Sequence, residues 1–329
     1  MTSQTTHVTN ALSSEKSSIT PASVTRWVRQ NAVYFALLVL IIIFSIKSPV
    51  FFSLANFLNI GRQTTLVTVI AAGMTFVIIA GEIDLSIGAV LALSGVVSAM
   101  TMQATDDSVF WGIVTGVGTG ALAGFITGLT TTTLKIPSFL VSLGMLGIAR
   151  GIALMITDTK AVPVESPDFW AIFGEGSILG LPAPVFFTGL TVLAMSYLLH
   201  FMAFGRRVYA VGGNAKAARY SGIDVTKVKT LTFVLTGCLV GLAGLILTGR
   251  SHAARPDIAA GLELDVLAAV ILGGTSLFGG RGTIIGTVLG SLLIGVINNG
   301  LTLLSFTSAA QLVVKGLLII TAVAFSKER

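Results

Sequence analysis

The length of the uncharged apolar stretches constrains this chain more than any other feature. Residues Gln63–Gly81, Leu85–Thr105, Ser108–Leu134, Gly176–Gly205, Thr230–Gly249 and Gly282–Val314 contain no Asp, Glu, Lys or Arg. A helix needs about 20 predominantly apolar residues to cross a hydrocarbon core ~30 Å thick. Several of these runs meet that length, and two leave room for more than one helix start. A membrane β-barrel would instead alternate apolar and polar residues over segments of about ten, and the chain shows no such alternation. Charged residues make up only 10% of the 329 positions, against roughly 25% in a soluble domain. The expected fold class is therefore all-α, a polytopic transmembrane helical bundle.

The apolar pattern predicts ten helices, over about 31–47, 63–80, 85–104, 109–134, 137–156, 183–203, 230–249, 264–279, 283–301 and 309–326. Eight spans is the alternative, with the second and third helices forming one re-entrant unit and the eighth and ninth another. Both counts leave the N- and C-termini cytoplasmic. With that orientation the inner segments hold 13 of the 20 basic residues, among them Lys135, Arg206, Arg207, Lys216, Arg219, Lys227, Lys229 and Arg281. The outer segments hold five, Lys47, Arg62, Lys160, Arg250 and Arg255. Retention of Lys and Arg on the cytoplasmic side favours this arrangement, and it also explains the net charge of +6 without any nucleic-acid partner. Residues 1–30 are rich in Ser and Thr and lack the apolar segment of a signal peptide. They are expected to be a disordered cytoplasmic tail ahead of a transmembrane domain over 31–329. The single cysteine, Cys238, rules out an intrachain disulfide and reads as a small packing residue.

Within this frame the basic loop 204–229, FGRRVYAVGGNAKAARYSGIDVTKVK, carries the most information. Gly213 and Asn214 break the chain ahead of Ala215–Tyr220, a run of good helix formers, and Gly222 stands where a helix stop belongs. The loop thus predicts a short helix of about two turns between two spans. A transporter driven by a separate motor needs such a rigid projection. No GxxxxGK[ST] phosphate loop occurs, and Gly279–Thr283 lacks both the lysine and the spacing. Any ATP must therefore be bound by another subunit. The histidines His7, His200 and His252 have no metal-ligand spacing, and no catalytic constellation appears. The chain reads as a transporter component with no catalytic or metal residues.

The acidic pair in GEIDLSIG, Glu82 and Asp84, lies between two apolar runs. A carboxylate in lipid costs at least ~2.5–3.5 kcal/mol, so these groups sit at the cytoplasmic interface, pair with a cation, or line a polar cavity. Arg150 and Lys315 within spans either snorkel to the interface or pair with Asp84 or Asp265. Asn298 and Asn299 are adjacent amides that serve a passing sugar or bond neighbouring helices. The stretch Leu272–Gly286, LGGTSLFGGRGTIIG, suggests close backbone packing or a break at membrane depth, with Arg281 anchoring at the surface. Gly112, Gly116, Gly118, Gly120, Gly124 and Gly128 form a helix-packing signal. The polar loop 157–182 is a periplasmic docking surface or a plain connection.

Three motifs in order, GEIDLSIG (Gly81–Gly88), GRRVYAVGGNAKAARYSGI (Gly205–Ile223) and ELDVLAAVILGGTSLFGGRGTIIGTVLG (Glu263–Gly290), resemble the permease subunits of ribose-type ABC sugar importers. The resemblance runs from about Ser48 to the C-terminus. It implies a bacterial inner-membrane protein that imports a monosaccharide such as ribose by alternating access. The implied partners are a tandem-type ABC ATPase subunit, which carries the ATP and Mg, a periplasmic sugar-binding protein, and a second permease copy or paralogue. It also implies that Gly213, Asn214, Ala217, Ala218, Arg219, Ser221 and Gly222 dock on the ATPase. Asp84, Ser86, Asn298 and Asn299 are the pathway candidates. Glu82 departs from the neutral residue common in relatives. A stand-alone secondary sugar transporter or channel is the alternative, and a membrane scaffold a weaker one.

Overall fold

The computed structural model describes residues 32–326, so the tail expected over 1–30 lies outside the described residues. A helix stands at each of the ten expected positions. In chain order the helices are α1 Ala32–Lys47, α2 Leu54–Ile79, α3 Ile87–Ala104, α4 Val109–Leu134, α5 Ser138–Thr157, α6 Ala183–His200, α7 Ala203–Gly213, α8 Ala215–Tyr220, α9 Val225–Ser251, α10 Leu262–Leu272, α11 Ile284–Leu303 and α12 Ser308–Ser326. Seven of these, α2 to α6, α9 and α11, are long and apolar enough to cross a membrane by length and composition. The all-α polytopic bundle is thus the observed architecture. Among the described residues strand is confined to two-residue pairs, Val162–Pro163 with Ala253–Ala254 and Ser177–Ile178 with Leu181–Pro182.

Several helix ends depart from the sequence expectation for local reasons. Helix α2 starts nine residues early because the Ser53 hydroxyl accepts the Asn56 amide at 3.2 Å and caps it. Arg62 is accommodated on its exposed side. Helix α9 starts at Val225, capped by Asp224 accepting from the Lys227 amide at 2.9 Å. Helix α10 ends at Leu272 rather than 279, because Gly274 at φ +89° turns the chain out of the helix.

Two segments begin their helices inside the bundle rather than at its surface. After α2 the chain runs extended through residues 82–86, and the Ile83 amide donates to Ser138 Oγ at the start of α5. By Gly88 it has reached Ala259, whose neighbour Ile258 accepts from Arg150 of α5 at 2.9 Å. Ser138 and Arg150 are twelve residues apart on one helix, which is about 18 Å at 1.5 Å per residue. Helix α3 therefore begins deep inside the bundle. From the opposite end, residues 252–261 descend from α9 to the same level, and α10 continues onward from there. The first turns of α3 and α10 meet, with Glu263 lying against Gly88.

Helices α4 and α9 pack backbone to backbone at the centre. A side chain added at Gly120 would collide with the Gly237 carbonyl, and one added at Gly237 would collide with the Gly120 carbonyl. Glycines 112, 116, 120, 124 and 128 fall every fourth residue; the last four form this contact line, Gly112 lies against Ser98 and Met102 of α3, and Gly118 faces open space. Small residues permit such approach where apolar burial gives no drive between helices in lipid. Replacing Gly120 with Val is expected to cost at least ~1–3 kcal/mol through overpacking, while Gly118→Val changes stability by under about 0.5 kcal/mol. Thermal unfolding of the two variants in detergent micelles measures the difference.

Candidate functional site

The loop 204–229 folds as two short helices, of which the sequence foretold only the second. Helix α7 begins three residues after α6 ends and buries Gly205, Val208 and Val211 on one side while Arg206 and Arg207 stay exposed. That spacing of three marks an amphipathic helix, a signal present in the sequence but masked by its polar composition. Asn214 then leaves the helical region, and its side-chain oxygen accepts from the Lys216 and Ala217 amides, both at 3.0 Å. This is an N-cap for α8. The chain leaves α8 at Gly222, with φ +81°, and the Ile223 amide closes the turn on the Ala218 carbonyl at 3.0 Å. Of the coupling candidates only Ala218 is buried; Gly213, Asn214, Ala217, Arg219, Ser221 and Gly222 are exposed. Tyr220 beside them is 93% exposed.

This projection is tied rigidly to the bundle. Gly212 is pressed so closely on the Ile79 carbonyl that no side chain fits there, and the same carbonyl accepts from the Gly280 amide at 2.9 Å. Tyr209 donates to the Gly282 carbonyl at 2.6 Å. Burial pushes the Tyr209 phenol above its usual range. Phe204 stacks on Phe76 of α2, with ring centroids 6.1 Å apart. At the start of α9, Lys229 makes a short, largely buried ion pair with Glu82. Pairing with a cation is thus the alternative realised for Glu82. Sequence reading missed this junction because its members come from three separated segments.

The pathway candidates do not form one cluster. Asp84 and Ser86 are both buried at the break before α3, and Asp84 Oδ1 accepts from the Ser86 amide at 2.8 Å and its hydroxyl at 2.6 Å. Asn299 lies far from them, near the start of α2. There it exchanges two hydrogen bonds with Asn56, each 3.0 Å. Asn56 also donates to the Phe51 carbonyl at 2.9 Å. This amide pair heads a polar seam along α2 and α11, continued by Thr68–Ser291 and Thr75–Thr287, each at 2.7 Å. Interhelical bonding is what Asn299 does here. Asn298 differs, since its buried side-chain oxygen has no hydrogen-bond partner among the described residues.

The remaining intramembrane charges are also held. Lys315 pairs with Asp265 at 2.8 Å, both largely buried. Arg150 pairs with neither Asp84 nor Asp265; it donates to the Pro256 and Ile258 carbonyls and pins residues 252–261. At the end opposite α8, the loop 157–182 is fixed to α9 by the Val162–Pro163 strand pair and by Trp170 stacked on His252, centroids 4.3 Å apart. His252 also lies 3.1 Å from Glu175. Among the described residues no group of His, Cys, Asp and Glu is arranged to hold a metal.

Residues 56–323 match the family model described as branched-chain amino acid transport system / permease component. The chain is 45% identical over 297 residues to the ribose import permease protein of Bacillus subtilis (strain 168), covering 90% of this chain and 92% of that one. It is 39% identical over 320 residues to the D-allose transport system permease protein of Escherichia coli (strain K12), covering 97% and 98%. It is 36% identical over 289 residues to the L-arabinose transport system permease protein of the same strain, covering 88% of each. No solved structure matches it.

Two outcomes follow from this geometry. A double-mutant cycle on Asn56→Ala and Asn299→Ala should give a coupling energy of roughly 0.6–1.7 kcal/mol, the range for polar pairs between membrane helices. A sugar contact at Asn299 would instead appear as altered transport affinity with unchanged stability. For the ion pair, Glu82→Gln leaves Lys229 uncompensated and should destabilise the protein by on the order of 3 kcal/mol. The exchange Glu82→Lys with Lys229→Glu should recover most of that loss, read by thermal unfolding in the same micelles.

Proposed function

Because the chain belongs to the branched-chain amino acid transport system / permease component family, we propose that it is the membrane-spanning permease subunit of an ATP-driven importer, moving a monosaccharide such as ribose that a periplasmic binding protein delivers. Relatives named for ribose, D-allose and L-arabinose transport support a sugar as cargo. One structural observation carries the motor-driven reading. Helix α8 stands exposed except at buried Ala218 and half-buried Ala215, while α7 at its base packs tightly on Ile79 at the end of α2 and is bonded through Tyr209 to the loop before α11. A movement imposed on α8 therefore reaches the spans without being absorbed by slack chain.

The partners in this reading are a tandem-type ATPase subunit, which holds ATP and Mg, and a second permease copy that completes the pore. Residues Gly213, Asn214, Ala217, Arg219, Ser221 and Gly222 form the ATPase-facing surface, with Ala218 as its anchor. Asp84 and Ser86, at the mid-depth break, and Asn298, with its unpartnered oxygen, are the pathway groups. Asn299 acts through its bond to Asn56. The chain crosses the bacterial inner membrane ten times with both termini in the cytoplasm. The end bearing α8 is the inner one, because it carries eight described basic residues, Lys135, Arg206, Arg207, Lys216, Arg219, Lys227, Lys229 and Arg281, against five at the other. Among the described intramembrane acids, Glu82 and Asp265 are paired with lysines and Asp84 is bonded to Ser86.

Reconstitution with the ATPase and binding protein in liposomes tests the reading. ATP-dependent ribose uptake is expected, and Arg219→Glu should lower it at least about tenfold, the loss of one well-placed charged interface contact. Replacing Gly222 with Ala puts a side chain at φ +81°, costs about 1–2 kcal/mol locally and should also reduce uptake. Uptake without ATP, or full uptake by Arg219→Glu in an assembled complex, would remove the coupling role.

A further inference from the structure

Between α10 and α11, residues Thr275–Gly282 make a tight loop at the same end as α8. Several of its backbone amides are bonded. The Ser276 amide donates to the Arg281 carbonyl and the Gly279 amide to the Ser276 carbonyl, both at 3.0 Å, while the Phe278 amide meets Ser276 Oγ at 3.3 Å. Gly279 and Gly280, at φ +83° and +74°, allow the sharp turn. Outward bonds from the Gly280 amide to Ile79 and from Tyr209 to Gly282 fix the loop to the bundle and to α7. At its tip stands Phe278, 80% exposed and the most exposed phenylalanine among the described residues. Arg281 is exposed beside it. A rigid loop that lifts an aromatic ring into solvent has the form of a preordered binding anchor, since little freedom is left to lose on association.

We infer that this loop is a second docking element for the ATPase subunit, with Phe278 entering an apolar pocket whose rim carries carboxylates. The inference rests on the ATPase-facing role given to α8 above. Distance supplies the occupant. Gly280 lies against Gly213, the residue before the α8 cap, and Phe278 is two residues from Gly280, at most about 7.6 Å along the chain. A stable protein interface covers roughly 800 Å² on each partner, a disc about 30 Å across. A partner seated on α8 with an interface of that size therefore covers Phe278 as well. Charge indicates the chemistry of the rim. Arg206, Arg207, Lys216, Arg219, Lys227 and Arg281 are exposed on α7, α8, the start of α9 and this loop, with Asp224 an exposed acid among them. Aromatic and Arg side chains at the centre of a patch carry most of the binding energy at interfaces.

The experiment uses the full-length chain in lipid nanodiscs with the purified ATPase subunit of its own import system. A photo-crosslinking benzoylphenylalanine is placed at Phe278 in one sample and at Tyr220 in another. Both positions are expected to crosslink to the ATPase, and Phe278→Ala should weaken its binding roughly tenfold or more without lowering the melting temperature. Phe278→Leu, which keeps an apolar side chain, should lose less. Crosslinking to the ATPase from position 220 but to lipid, or to nothing, from 278 overturns the inference and leaves the role of α8 intact. So does unchanged binding by Phe278→Ala. Absence of crosslinks from both positions in an intact complex removes the α8 reading and this one with it.

Discussion

Hydrocarbon offers no water to an unpaired backbone amide or carbonyl, so every irregular stretch inside this bundle must be satisfied by the protein itself. That constraint explains the positions of its least ordinary residues. Where the chain runs extended after α2, Ser138 receives the Ile83 amide and Asp84 receives the Ser86 amide. Where residues 252–261 descend, Arg150 takes up the Pro256 and Ile258 carbonyls. At the turn before α11, Ile79, Tyr209 and the loop's own backbone do the same. Two helix starts can meet in mid-bundle only because these partners are in place.

The bonds that satisfy the breaks also join the ends of the molecule. Ile79 closes α2, touches α7 through Gly212 and holds Gly280, while Glu82, three residues on, pairs with the start of α9. From there α2 runs back through the Thr75, Thr68 and Asn56 seam with α11. A displacement at α8 is thus applied to α2, the most buried of the long apolar helices, and to α9, which packs along it. Both have small or polar residues at their contacts, Gly73 against Thr236 on α2 and Gly237 against Gly120 on α9. Such contacts transmit a shift because a close backbone approach leaves no side chain to absorb it.

The sequence alone determined that the chain is a helical membrane protein, roughly where ten of its helices fall, and that a short helix forms over Ala215–Tyr220 after a break at Gly213–Asn214. These properties are local. Apolar length, charge count, a cap residue and a helix-stopping glycine each act over a few neighbouring residues, so each is written in contiguous chain. Helix α7 was written there too, as Val208 and Val211 at a spacing of three, but its arginines and glycines made it read as loop. Family motifs added the sugar and the partners, which no local property carries. What only the tertiary structure decided is which polar group meets which. Glu82 finds Lys229 across 147 positions, Asn56 finds Asn299 across 243, and Lys315 finds Asp265 across 50. Sequence spacing holds no record of such choices, because they follow from how helices pack against one another, and in lipid that packing is set by small-residue contacts whose partners lie far along the chain.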